Sequence, residues 1–156
     1  MVYYLPMETF HEASVHAAIA CLQRLTDVFQ QRRVQLAQSV GLSEQQWAVL
    51  EEISNEHFMP SMFARSRASS AAAVSKILRQ LVDKHLVRSK VDSDDGRQRR
   101  YELTAKGKAA MATLRQKREQ AIQAVWTSLD GPALEAFTRF GDALTERLEA
   151  YATTTE

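Results

Sequence analysis

Hydrophobic residues return at threes and fours through most of this chain, and at twos over one short stretch past its middle. Val15, Ala18, Ile19, Leu22, Leu25, Phe29 and Leu36 fall on one side of a helical wheel, which predicts a long helix over residues 8–39. Gly41 is its stop signal. Ser43 stands three residues before Gln46, the spacing of a capping box, and Trp47, Val49, Leu50 and Ile53 give the buried side of a second helix. His57-Phe58 reads as a short extended link, and Pro60 suits the first turn of a third, short helix over Ser61–Ser66. Ser69 and Ser70 lead into a fourth helix that runs to about Lys84, with Val74, Ile77, Leu78 and Leu81 inward.

The period then changes. Leu86–Val91 and Arg99–Leu103 read as two strands, and Asp92–Gln98, with its Asp, Ser and Gly residues, as the turn between them. Thr104 can cap a fifth helix to about Leu129, which Gly107 is expected to weaken slightly. Asp130-Gly131-Pro132 breaks the chain, and a last helix over roughly Pro132–Tyr151 carries Leu134, Phe137, Phe140, Leu144, Leu148 and Tyr151 on one stripe. The fold class is therefore mainly α with a small β-hairpin wing. It is a winged helix-turn-helix with long N- and C-terminal dimerisation helices. The chain reads as one domain over 1–156, with the winged helix at about 43–104 and the dimerisation helices at about 8–39 and 105–152. Those long helices carry more apolar surface than so small a core can cover, which implies a two-fold homodimer.

Charge sharpens this picture through its distribution. The net charge is only +1, yet residues 65–108 hold 12 cations against 5 anions, a net +7, while the rest of the chain is −6. A basic face on an acidic body, beside a helix followed by a charged hairpin, points to double-stranded DNA as the partner. Ser69, Ser70, Ala71, Ala72, Ala73 and Ser75 are small enough to let the start of the fourth helix sink into a major groove, and Lys76 and Arg79 reach bases or phosphates further along. Ser70 serves as cap and phosphate contact at once. So few base-reading groups make groove shape a second source of specificity. Arg97 follows Gly96 at the wing turn and suits a narrow minor groove, with Asp95 holding the wing in shape. Arg99 and Arg100 alternate faces of the returning strand, and Arg65 and Arg67 are phosphate candidates between the third and fourth helices.

Asp92-Ser93-Asp94-Asp95-Gly96-Arg97 followed by Leu103-Thr104-Ala105-Lys106-Gly107 resembles the wing motif of the MarR family of bacterial transcription regulators, D-P-x-D-x-R and then L-T-x-x-G. Ala73-Val74-Ser75-Lys76 and Leu86-Val87-Arg88 resemble that family's recognition-helix and strand patterns, and the helix order agrees over nearly the whole chain. The resemblance implies a homodimer built from the terminal helices, one winged helix per half of a pseudo-palindromic operator, repression as the default, and release by a small phenolic or lipophilic ligand or by oxidation. The roles of Asp95 and Arg97 carry over by position. Three residues depart from the pattern. Ser93 stands for the usual proline, Met59 for a polar cap before Pro60, and His85 for the frequent glycine at the end of the recognition helix.

The lone cysteine, Cys21, fits a reducing, cytoplasmic setting, and no leader or membrane span is expected. Its apolar neighbours predict a buried small hydrophobe; a redox-sensing regulator acting through Cys21 is the alternative. His11, His16, Trp47, Phe58 and Met62 are ligand-pocket candidates by position alone. No metal or cofactor is expected, and the absence of a phosphate-cradling glycine loop, a nucleophile elbow or a triad argues against an enzyme. A low-specificity, shape-reading architectural protein remains the other alternative. The wing-tip reading makes Arg97→Ala decisive: DNA affinity should fall strongly in a mobility-shift titration while the dimer persists, and unchanged affinity removes the assignment.

Overall fold

The computed structural model describes residues 12–54, 58, 60–67, 69–91 and 99–154. His11, Met59, Ser93 and the whole Asp92–Gln98 turn, with Asp95 and Arg97, lie outside the described residues. The elements are α1 (Glu12–Gln38), α2 (Glu44–Ile53), α3 (Pro60–Ser66), α4 (Ala71–Asp83), β1 (Val87–Val91), β2 (Arg99–Leu103), α5 (Ala105–Val125) and α6 (Gly131–Thr154). Each corresponds to an element expected from the sequence, most from periodicity and α3 from Pro60. The main differences lie at the last junction. The fifth helix ends at Val125, four residues short of the expected Leu129. The expected break is present at residues 126–130, with Asp130 as its last residue. Its carboxylate accepts the Ala133 N–H at 2.9 Å and caps α6, while Pro132 sits in the first turn, where no intrahelical donor is needed.

The chain forms two compact units, the first extending to Leu114 and the second spanning Arg115–Glu156. In the first, α2 supplies Trp47, Val49, Leu50 and Ile53 to a core completed by Phe63 of α3, Val74, Leu78 and Leu81 of α4, Leu86 and Val87, and Leu114 of α5. Each such side chain, fully buried, contributes about 1.5–3 kcal/mol. The capping box at the start of α2 is complete. The Ser43 hydroxyl accepts from the Gln46 N–H and the Gln46 side chain accepts from the Ser43 N–H. β1 and β2 pair antiparallel, with Val87 opposite Leu103, Ser89 opposite Tyr101 and Val91 opposite Arg99 on one face; Arg88–Glu102 and Lys90–Arg100 lie on the other.

The junction from α4 into the hairpin is built on two residues. His85 takes φ 58°, the left-handed turn that ends α4, where its N–H donates to the Val82 carbonyl and the Leu86 N–H to that of Leu81. This is the position at which the glycine of the family pattern stands. Thr104 then latches the hairpin onto this turn. Its N–H donates to the Leu86 carbonyl, its hydroxyl donates to the His85 carbonyl at 2.7 Å, and the same hydroxyl accepts from the Gly107 N–H. The expectation that Gly107 merely weakens its helix is corrected: any Cβ there would collide with the Leu86 backbone carbonyl, so glycine is what lets α5 approach β1.

Elsewhere the long helices leave their stripes bare. In the second unit α6 has no buried residue, and Phe137, Phe140 and Leu148 are more than half exposed. Along α1, Val15, Ile19, Leu22, Leu25 and Val28 are exposed as well. Cys21 shares this exposure, which corrects the expectation of a buried thiol: its apolar neighbours Ile19, Leu22 and Leu25 on α1 are themselves exposed. Among the described residues, no helix is long and apolar enough to cross a membrane.

The α4–hairpin junction predicts opposite effects for two substitutions in a urea denaturation followed by circular dichroism. His85→Gly should raise stability by about 1 kcal/mol by relieving the left-handed residue. Gly107→Ala should lower it by roughly 1–3 kcal/mol through overpacking against backbone. A destabilised His85→Gly or a neutral Gly107→Ala would contradict this account.

Candidate nucleic-acid interface

With Val74, Leu78 and Leu81 buried, the helical period turns Ala72, Ser75, Lys76, Arg79 and Asp83 outward as one exposed stripe of α4. The helix start is fixed locally: the Ser70 hydroxyl accepts the Ala73 N–H at 3.1 Å, and the Ser69 N–H donates to the Ala64 carbonyl at the end of α3. Ala71 and Ala73 are exposed beside the cap, so backbone rather than long side chains forms the leading end. Arg65 projects from the last turn of α3, and the Arg67 guanidinium lies 5.6 Å from the centre of the Phe63 ring.

Between α4 and the hairpin lies an open cleft of about 500 Å³. Ser75, Arg79 and Asp83 line it from α4, Ser89 and Arg99 from the strands, and Leu78, Val82 and Tyr101 contribute its apolar surface. Register decides which strand arginine belongs here. Arg99 shares a face with Ser89 and Tyr101, whereas Arg100 falls on the opposite face with Arg88 and Lys90. On that opposite face the Glu102 carboxylate takes Arg88 at 2.8 Å and Lys90 at 3.3 Å, and these hydrogen bonds hold it below the usual carboxylate range. Two of the cations in the +7 segment thus share one carboxylate, and the trio keeps a net charge of +1. Among the described residues, Arg65, Arg67, Lys76, Arg79, Arg99, Lys106 and Lys108 have no acidic partner within 4 Å, so positive charge without an ion pair lies on α3, α4, β2 and the start of α5, with Asp83 the acid that also lines the cleft.

Sequence reasoning found Ser69, Ser70, Ala71, Ala72, Ser75, Lys76, Arg79 and Arg99 on or beside this surface. It missed Ser89, which the period-two alternation back from Val87 gave away, and Glu102, whose neutralising role needed the strand register. It also missed an ion-pair clamp. Arg33 of α1 donates to Glu44 at 2.6 Å and Glu51 at 2.8 Å on α2 while its guanidinium lies 4.1 Å over the Trp47 ring. Burial works against the Arg33 charge, but its hydrogen bonds to Glu51 and Glu44 outweigh this and raise its pKa further. The spacing from 33 to 44 and 51 crosses a turn, so no single-helix pattern signals it.

Among the described residues, the ligand-pocket candidates Trp47, Phe58, His16 and Met62 do not line this cleft. Trp47 is in the core beneath Arg33, and Phe58 is half-buried with ring contacts to Phe63 at 5.9 Å and Tyr101 at 6.2 Å. His16 is exposed and pairs with Glu12 at 3.6 Å, and Met62 is exposed. Among the described residues, no three His, Cys, Asp or Glu side chains are grouped to hold a metal ion.

Comparison with known proteins agrees with this geometry. Residues 42–107 match the family model of the winged helix DNA-binding domain. Similar solved structures include a MarR family transcription regulator at 18% identity, covering 90% of this chain and 94% of that one with a TM-score of 0.81. Staphylococcus aureus MarR, solved with salicylate and kanamycin, is 17% identical over 89% of this chain and 95% of that one, with a TM-score of 0.74. A Staphylococcus aureus MepR–DNA complex is 18% identical over 83% and 93%, with a TM-score of 0.65. No curated protein sequence matches the chain. The chain is MarR-like in fold, and its central residues 42–107 are the part that matches the winged helix model.

Proposed function

We propose that this protein is a transcription regulator, a repressor by default, that binds a pseudo-palindromic operator as a homodimer in the cytoplasm and is released by a small phenolic or lipophilic ligand. α4 enters the major groove and the hairpin lies along the next minor groove, with Arg97 at its tip and Asp95 supporting it. The observation that carries this reading is the meeting of cations from two elements across one cleft, Arg79 from α4 and Arg99 from β2. The strand that separates a major groove from the adjacent minor groove has to pass over that gap. Its phosphates then meet two guanidiniums and the hydroxyls of Ser75 and Ser89. Arg65 and Arg67 add contacts before α4, and Ser69, Ser70, Ala71, Ala72 and Lys76 face the groove itself.

The homodimer is supported by two exposed apolar stripes, Val15, Ile19, Leu22 and Leu25 on α1 and Phe137, Phe140 and Leu148 on α6, since surfaces of this kind mark association sites. The salicylate in the related Staphylococcus aureus MarR structure supports a phenolic effector. A second reading, a shape-reading binder with little sequence preference, draws on the bare alanines at the start of α4.

Salt-dependent mobility-shift titration tests the interface. Arg79→Ala and Arg99→Ala should each weaken DNA binding and reduce the slope of log affinity against log salt by about one. Arg100→Ala, on the other face of the hairpin, should change both less. Unchanged slopes in the first two variants would contradict the assignment.

A further inference from the structure

Among the described residues the core contains a single buried polar side chain, Gln46, at 6% exposure. Every polar atom of its amide is engaged. The Oε1 atom accepts from the Ser43 N–H at 3.1 Å and from Lys84 Nζ at 3.0 Å, and Nε2 donates to Gln80 Oε1 at 3.0 Å. Gln46 is thus both the capping-box residue of α2 and the anchor of the last turns of α4. Lys84 extends the anchor in two directions. Its Nζ also donates to the Gly41 carbonyl at 2.7 Å, in the turn after α1, and its own carbonyl accepts from Lys106 Nζ of α5 at 3.0 Å. The C-terminal end of α4 is held by hydrogen bonds from α2, from the α1–α2 turn and from α5.

The apolar contacts of α4 do not fix its position along its own axis to the same degree. Val74, Leu78 and Leu81 gain from burial, which is non-directional, whereas hydrogen bonds weaken steeply with misalignment. A slide of α4 along its axis by about 1.5 Å, the rise of one residue, keeps Val74, Leu78 and Leu81 inward but misaligns the Gln46–Gln80 and Gln46–Lys84 bonds together. Buried polar networks that are fully satisfied specify one arrangement in this way.

We propose that Gln46, Gln80 and Lys84 form a positioning node that sets the register of α4 and thereby the ability of the protein to tell its operator from other DNA. The proposal rests on α4 being the helix that enters the groove. None of the three residues is asked to touch a base. Long arginine side chains on phosphates tolerate a small shift of the helix, while base edges and groove shape do not, so losing the node should lower specificity before it lowers general affinity.

The test compares full-length wild type with Gln80→Met, which keeps the length of the side chain and leaves the Ser43–Gln46 cap intact. Both are titrated against an operator selected by wild type from random duplex DNA and against a scrambled duplex of the same length. The expected result is a variant with an unshifted thermal midpoint to within a few degrees, an unchanged scrambled-DNA affinity and salt slope, and an operator-to-scrambled ratio lower by about tenfold. Gln80→Glu, which retains an acceptor for Gln46 Nε2, should restore the ratio. A folded Gln80→Met with the wild-type ratio overturns the positioning role, as does an equal loss on both duplexes. Should Gln80→Met fail to fold, Lys84→Met, altered at an exposed side chain, decides by the same ratio. A wild type that binds DNA with no operator preference removes the sequence-specific reading and this proposal with it, an outcome recognisable before any variant is made.

Discussion

The burial of one stripe of α4 is the constraint on which the rest of the structure depends. Val74, Leu78 and Leu81 are each almost wholly out of solvent against α2, α3 and β1. A helix has one geometry, so fixing that stripe fixes the opposite one. Ala72, Ser75, Lys76 and Arg79 face outward because their neighbours at threes and fours face inward. The hairpin is then placed by the turn that ends α4. His85 in the left-handed region, the Thr104 latch and the bare Cα of Gly107 bring β1, β2 and α5 to the same point. From that point the period-two alternation of β2 sends Arg99 toward α4 and Arg100 away from it. The cleft between Arg79 and Arg99 follows from packing and period, with no element devoted to it alone.

Charge is distributed with the same economy. Glu102 is a lone acid among strand cations, and it ties up Arg88 and Lys90 on the face of the hairpin turned from α4. The positive field that a polyanion would meet is therefore directional, although the sequence-level count treats all twelve cations alike. Arg33 illustrates the other use of charge. Its clamp to Glu44 and Glu51 is partly buried over Trp47, joins α1 to α2, and faces no ligand surface. Screening by solvent at exposed pairs such as His16–Glu12 leaves them little energetic weight beside it.

Most of the architecture was legible because it rests on local rules. The 3.6-residue period gave the longer helices and Pro60 the short α3, the Ser43–Gln46 spacing gave a capping box that is complete in the structure, and the change to alternation at Leu86 gave the hairpin. What was not legible depends on residues far apart in sequence. The Arg33 clamp spans 18 residues, the Gln46–Lys84 contact 38, and the neutralisation of Arg88 needs a partner 14 residues away across the strands. Gly107 was misjudged for the same reason: its helix propensity is local, but the Leu86 carbonyl that requires it is not. Cys21 was misjudged by the opposite error, since apolar neighbours on a helix predict burial only where the chain itself covers that face.

The central claim is that two copies of this chain present two α4 helices to one DNA duplex. Selection of bound fragments from random duplex DNA at physiological salt tests it most directly. The account predicts enrichment of an inverted repeat whose half-sites lie about one helical turn, roughly 34–36 Å, apart. Retention without any enriched repeat, or no retention at all, would contradict it.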